Sequence, residues 1–256
     1  MSKVYLVGAG PGDPNLLTIK AARLLQAASV VLHDALVSRE ILALINPRAA
    51  VIDVGKRCGP KLLTQQDINA LLIAYSAKSE IVIRLKGGDP SIFAHGSEEI
   101  EALDEARVEF EIVPGITSAL AAAAAAKITL TDRQCSDTVI FTTAHRAAGA
   151  EPFAKKLVVP PRTTLVIYMP GSDYSNLAEQ LREAGISLNT PCVVISKIGY
   201  ADQRVIHSEI GKLTRLERLP LPALFIIGDC TCRNKTAVKR IFSMKWMGAE
   251  AATSRT

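Results

Sequence analysis

The sequence predicts a two-domain α/β protein, and three observations carry that prediction. The chain is 256 residues long, enough for two modest domains. Its first half alternates short β-branched runs with helical patterns, the signature of a largely parallel sheet. After a polar stretch from Thr131 to Ser136, strand patterns follow one another with fewer helices between them, which predicts mixed pairing with antiparallel neighbours. The expected domains are 1–130 and 137–245, with a flexible tail at 246–256.

Taken in order, Val4–Val7 is the first expected strand, and Leu16, Leu17, Ile19, Leu24 and Leu25 then recur at helical spacing. Ser29–Leu32 resumes extended character, and Val51–Val54 follows a helix ending near Asn46-Pro47. Thr64-Gln-Gln-Asp67 reads as a capping box with Asp in place of Glu, opening a helix through Leu71, Leu72 and Tyr75. Ile81–Leu85 and Phe110–Val113 are strands, and Pro114-Gly115 leads from the second into an Ala-rich helix. Beyond residue 136 the expected strands are Thr138–Thr143, Thr164–Tyr168, Val193–Ser196, Arg204–His207 and Ala223–Ile227, with one clear helix from Asn176 to Glu183. The connection from Ala144 to Arg162 is long enough for a surface loop or lid.

Composition narrows the function classes. At 48% hydrophobic and 21% charged residues the chain is an ordinary globular protein, which excludes collagen, coiled coil and disorder. No apolar run approaches the roughly 20 residues of a membrane span, and basic residues are not interleaved with aromatics as a nucleic-acid platform requires. Five scattered cysteines fit no metal-ligand spacing and read as reduced thiols of a cytoplasmic protein, and His33, His95, His145 and His207 share no ligand spacing either, so no metal is expected. The net charge of +5 suits an anionic ligand without requiring one.

Open α/β sheets bind ligands outside the carboxyl ends of their strands, so the loops after Val7, Leu32, Val54 and Leu85 carry the information. Gly8-Ala-Gly10-Pro-Gly12-Asp13 stands where a dinucleotide fingerprint would, yet it has Asp13 at the third glycine and Pro11 without an N–H, so a loop shaped around a ligand lacking phosphates fits better. Lys86-Gly87-Gly88-Asp89-Pro90 lets backbone groups approach a ligand unobstructed, and Ser91-Ile92-Phe93 adds apolar contacts. Thr117 and Ser118 end a third loop, as ligand contacts or as the cap of the Ala-rich helix. Asp34 and Lys56-Arg57 follow neighbouring strands and could serve as base and acid or form an ion pair.

Together these loops resemble the tetrapyrrole methylase superfamily. The resemblance rests on Val-Gly-Ala-Gly-Pro-Gly-Asp (7–13), Leu-Leu-Thr-Ile-Lys (16–20), His-Asp-Ala-Leu-Val (33–37), Val-Gly-Lys-Arg (54–57), Arg-Leu-Lys-Gly-Gly-Asp-Pro (84–90), Val-Pro-Gly-Ile-Thr-Ser (113–118), Tyr-Met (168–169) and Pro-Ala-Leu (222–224). It implies two α/β domains with the active site in the cleft between them, a homodimer, and S-adenosylmethionine as methyl donor. The cofactor contacts it implies are Pro11, Gly87, Gly88, Asp89, Ile92, Thr117, Ser118, Met169, Gly199 and Ala223. Asp34 is the implied proton acceptor and Lys56 the implied proton donor. The implied acceptor is an anionic tetrapyrrole, methylated at C2 and C7 of uroporphyrinogen III to give precorrin-2 on the way to siroheme or cobalamin.

Departures cluster away from the cofactor motifs. Ala94-His95-Gly96 stands where the family commonly has Gly-Arg-Gly, Asp132 replaces a histidine, and Pro170 replaces a glycine after Met169. Ser196-Lys197 likewise differs from a common acidic and Asn pattern. Another corrin precursor as acceptor, or a noncatalytic tetrapyrrole-binding role, are the competing expectations. Because the sequence starts at the first motif, no dehydrogenase or chelatase domain is expected ahead of it.

Overall fold

The computed structural model describes residues 2–55, 63–144 and 157–232. The described residues fall into two compact units, divided between residues 121 and 122, with residues 198–202 returning to the first. Each carries its own five-stranded sheet.

In the first unit, strands β1 (Lys3–Gly8), β2 (Val30–His33), β3 (Ala50–Asp53), β4 (Ile81–Lys86) and β5 (Phe110–Val113) lie in the order β3-β2-β4-β1-β5. Every pairing is parallel. Parallel pairing needs covered faces, and alternation supplies them. Val7, Val31, Ile83 and Leu85 point to one side, where Ala21 and Leu25 of α1 (Ile19–Ala27) and Ile41 of α2 (Arg39–Leu42) close the core. Val4, Leu6, Leu32 and Val82 point to the other, against Ile68 and Leu72 of α3 (Gln65–Ser76) and Leu103 of α4 (Gly96–Glu105). Each fully buried leucine among them contributes about 1.5–3 kcal/mol relative to exposure.

Local chemistry fixes the ends of these elements. The predicted capping box is present: the Asp67 N–H donates to the Thr64 hydroxyl at 3.2 Å, and the Asp67 carboxylate accepts from the Thr64 N–H at 2.8 Å. The leucine pattern from Leu16 to Leu25 is split rather than continuous. Pro14–Leu16 forms a 3-10 turn capped by Asp13, and Thr18 starts α1 anew by accepting from the Ala21 N–H. Helix α2 stops at Leu42, four residues short of the expected end, and successive turns carry the chain to Asn46. Helix α4 has no counterpart in the sequence reading, because its first turn is Gly and acidic residues.

In the second unit, β6 (Thr138–Thr143), β7 (Thr163–Tyr168), β8 (Pro191–Ser196), β9 (Arg204–Glu209) and β10 (Ala223–Ile227) lie in the order β6-β7-β10-β8-β9. The β6–β7 pair is parallel and the other three are antiparallel. Helix α6 (Tyr174–Glu183) buries Tyr174, Leu177 and Leu181 against Leu165, Ile167, Val194 and Phe225. Residues 131–136 form a tight turn in which the backbones of Asp132 and Ser136 exchange hydrogen bonds of 2.7 and 2.8 Å. Helix α5 (Ser118–Ala126) precedes it, with Ala119, Ala121, Ala122, Ala123 and Ala126 buried. Lys56, Arg57, Cys58, His145, most of the expected lid and everything beyond residue 232 lie outside the described residues.

No helix of the described residues is long and apolar enough to cross a membrane. Among those residues, no group of three or more His, Cys, Asp or Glu is arranged to hold a metal ion.

Candidate active site

The carboxyl ends of β1, β2, β4 and β5 bring the predicted loops of the first unit together. Gly10 and Gly88 exchange backbone hydrogen bonds of 3.1 and 2.8 Å, clasping the loop after β1 to the loop after β4. The loop after β5 closes the clasp: a Cβ on Gly115 would lie 2.3 Å from the Gly88 carbonyl oxygen, and one on Gly8 would lie 2.6 Å from the Gly115 Cα. Such distances admit only glycine at both positions. The Asp89 side chain holds the arrangement, accepting from the Gly115 N–H at 2.9 Å and the Ser91 N–H at 2.8 Å.

Several predicted cofactor contacts therefore share one surface of the first unit. Gly87 and Gly88 follow β4, with the Ile92 N–H donating to the Asp89 carbonyl at 3.2 Å. A Cβ on Gly88 would meet nothing nearer than the Thr117 Cα at 4.0 Å, so space lies open between these two loops. Thr117 is nearly buried and occupies the capping position before α5, its carbonyl accepting from the N–H groups of Leu120 and Ala121. Ser118 begins that helix.

Gly199 comes from far along the chain yet belongs to the same unit. Its left-handed backbone, φ 80°, lets it lie against Pro11 and Asp13, where a Cβ would be 3.0 Å from the Pro11 carbonyl oxygen. The neighbouring Tyr200 donates to the Leu36 carbonyl at 2.9 Å, and its ring occupies the space beside Gly12. Tyr200 escaped the sequence reading; a lone Tyr after Gly gives little local signal. Asp13, which stands where the fingerprint's third glycine would, caps the 3-10 turn by accepting from the Asn15 N–H at 2.9 Å.

Met169 and Ala223 lie in the second unit. Leu224 pairs with Tyr168 in the antiparallel β7–β10 ladder, so the next positions outward are Met169 and Ala223, side by side at one end of the sheet. Met169 is 45% exposed and adopts φ 47°, an uncommon conformation for a non-glycine residue.

Asp34 lies directly after β2, and it is ion-paired to a residue the sequence reading did not single out; a pairing with Lys56 or Arg57 lies outside the described residues. The Asp34 carboxylate accepts from Arg84 of β4. The Arg84 Nε donates to Glu99 of α4 at 2.8 Å, Nη1 donates to the Leu32 and Leu85 carbonyls, and the Lys86 Nζ reaches Glu99 at 2.7 Å. Burial works against the Arg84 charge, but Asp34 and Glu99 outweigh it and hold the guanidinium above its usual pKa. Burial, reinforced by the Arg84 charge, holds Lys86 below its usual value despite Glu99. The sequence signal for this cluster was two cations at alternate positions of an otherwise apolar strand. Its partner Glu99 is hidden in an acidic stretch that reads as solvated.

His95, at the departure from the family pattern, is exposed and pairs with Glu98 at 3.1 Å. That contact draws the Glu98 carboxyl below its usual range.

The family model for Tetrapyrrole (Corrin/Porphyrin) Methylases matches residues 3–214. A siroheme synthase of Actinobacillus succinogenes is 44% identical over 230 residues, which cover 88% of this chain and 48% of that protein. One from Neisseria meningitidis serogroup B is 43% identical over 227 residues, covering 88% and 47%. The chain thus spans about half the length of the curated relatives it matches. Among solved structures, a uroporphyrin-III C-methyl transferase from Thermus thermophilus, complexed with S-adenyl homocysteine, superposes with a TM-score of 0.78 at 35% identity, over 90% of this chain and 98% of that one. A cobalt precorrin-4 methyltransferase reaches the same TM-score at 29% identity, over 90% and 96%. This chain belongs to the tetrapyrrole (corrin/porphyrin) methylases.

Proposed function

We propose that this protein is an S-adenosylmethionine-dependent C-methyltransferase that methylates uroporphyrinogen III at C2 and C7, giving precorrin-2. The observation that carries the reading is the clasp of glycine loops at the carboxyl ends of β1, β4 and β5, with Asp34 following the neighbouring strand β2. Its likeness to a uroporphyrin-III C-methyl transferase complexed with S-adenyl homocysteine supports the choice of donor and acceptor.

The residues suit this cofactor. S-adenosylmethionine has no phosphate, and the loops offer open space between Gly88 and the Thr117 backbone rather than the N–H cradle of an anion site. Pro11, Gly87, Gly88, Asp89, Ile92, Thr117, Ser118 and Gly199 of the first unit, and Met169 and Ala223 of the second, are the proposed contacts. The bound cofactor supplies an electrophilic methyl group on a sulfonium that leaves as a neutral thioether. The chain's own task is then mostly to hold the acceptor carbon in line with that methyl group. Methylation leaves a cationic ring that must lose a proton, and Asp34 is the proposed acceptor of it, with Lys56 the proposed donor elsewhere in the ring.

A second reading keeps the chemistry and changes the acceptor to another corrin precursor. The exposed His95 favours it, since a histidine held by Glu98 stands where the family commonly carries Arg. Incubation with S-adenosylmethionine and either freshly reduced uroporphyrinogen III or later corrin precursors separates the two. The proposal expects S-adenosylhomocysteine release with uroporphyrinogen III. Release only with another precursor selects the second reading, and tetrapyrrole binding without any release makes the protein a noncatalytic binder.

A further inference from the structure

Four charged side chains from three elements meet in the first unit, and three of them are sealed from solvent. Arg84 is 3% exposed, Lys86 1% and Glu99 0%, whereas Asp34 is 30% exposed. Asp34 is thus the end of the cluster that reaches outward. Removing three charges from water is costly unless each is paired, and Glu99 is what pairs the two cations: one carboxylate oxygen binds the Arg84 Nε and the other the Lys86 Nζ. Gln65 of α3 adds a neutral donor to Glu99 at 3.3 Å. With Nε on Glu99 and Nη1 on backbone carbonyls, the guanidinium has one direction left for Nη2, and that direction is Asp34.

We propose that Glu99 is a positioning residue for methyl transfer: it fixes the Arg84 guanidinium and, through it, the way Asp34 is presented to the acceptor. The inference rests on the reading of Asp34 as proton acceptor. Among the described residues, the charges around Asp34 are Arg84, which it binds, and Lys86, both from β4, with Glu99 of α4 bound to both cations. His33 of β2 directs its Nδ1 at the Asp34 carbonyl, 3.0 Å away, and Lys56 and Arg57 after β3 lie outside the described residues. Glu99 offsets one of the two nearby positive charges. Without it, the net positive field on Asp34 grows, its carboxylate holds a proton less tightly, and it becomes a weaker base. Loss of Lys86 acts in the opposite sense.

The test compares Glu99→Gln, Glu99→Asp, Lys86→Gln and Asp34→Asn in S-adenosylhomocysteine release from S-adenosylmethionine and uroporphyrinogen III across pH. Glu99→Gln keeps the size but turns an NH2 toward one cation. Its kcat is expected to fall on the order of tenfold to a hundredfold, within what a positioned base contributes, with KM for both substrates little changed. The acid limb of its kcat profile is expected to move down by about half a pH unit or more, and that of Lys86→Gln to move up. Glu99→Asp is expected to restore the wild-type limb. A folded Glu99→Gln with wild-type kcat and limb overturns the inference. Should Glu99→Gln not fold, a Lys86→Gln limb that is unmoved or moves down overturns it equally. Full turnover by Asp34→Asn instead overturns the base assignment on which the inference stands, and the absence of turnover in the wild type overturns the proposed function itself.

Discussion

Substituting Gly115 by Ala probes the clasp on which the candidate site depends. The added Cβ would stand 2.3 Å from the Gly88 carbonyl oxygen and 2.8 Å from the Gly8 Cα, roughly 1 Å closer than ordinary carbon contacts allow. All these neighbours are backbone atoms, so no rotamer change relieves the clash, and the loops must separate. Overpacking of this kind costs about 1–3 kcal/mol, and backbone contacts to two separate loops argue for the upper end. For a chain of this size about 3 kcal/mol lowers the melting temperature by roughly 6–12 °C. A shift of about 1 Å at Gly88 also moves a proposed cofactor contact, so S-adenosylhomocysteine affinity is expected to fall at least about tenfold. Gly185→Ala is the control: nothing lies within 4 Å of its Cβ, and only its φ of 82° is penalised, at about 1 kcal/mol, with no change in affinity. Thermal unfolding followed by circular dichroism, with calorimetric titration of S-adenosylhomocysteine, reads both quantities. A Gly115→Ala protein that melts within about 2 °C of wild type and binds normally would refute the reasoning.

Three further outcomes follow from named interactions. Asp34→Asn is expected to lower turnover on the order of a hundredfold to ten-thousandfold while leaving S-adenosylhomocysteine affinity unchanged, because its contacts lie with Arg84; equal loss of both would assign it to cofactor binding. Hydrogen bonds from the Thr64 hydroxyl and N–H hold the Asp67 carboxyl below its usual pKa, so its stabilising contribution is present above the unfolded value and is lost as pH falls through the folded one. The gap in melting temperature between wild type and Asp67→Asn should therefore narrow as pH drops from about 5 to 3, and a gap that widens contradicts the assignment. Burial pushes the thiols of Cys192 and Cys230 up to about 12 and about 11, so at pH 8 an aromatic disulfide reagent should leave both unmodified until the protein unfolds, as mass mapping would reveal; modification of either at the rate of an unfolded chain would contradict this.

What could be read from the chain follows the range of the interactions involved. Strands such as Phe110–Val113 and Thr138–Thr143 announce themselves in runs of neighbouring residues, and the Thr64–Asp67 capping box is settled within four positions. The glycine loops were legible because only glycine tolerates the backbone approaches that join Gly8, Gly88 and Gly115. Helix α4 was missed for a physical reason. Its buried face includes Glu99, which has the character of a surface residue until two cations from β4, 13 and 15 residues earlier, are brought against it. Tyr200 is a stronger case, since its hydrogen-bond acceptor, the Leu36 carbonyl, is 164 positions away. No local pattern encodes a partner at that separation. Asp34 lay between: its residue type and its place at a strand end marked it, while its partner emerged only from the β2–β4 pairing that sets Leu32 beside Arg84.

The central claim is methylation of carbon on one tetrapyrrole. Carbon-13 nuclear magnetic resonance of the product formed from methyl-labelled S-adenosylmethionine and uroporphyrinogen III tests it most directly. The account predicts two labelled methyl groups, both bonded to ring carbons and located at C2 and C7. Label at any other position, or none in the tetrapyrrole while a different corrin precursor becomes labelled, would contradict it.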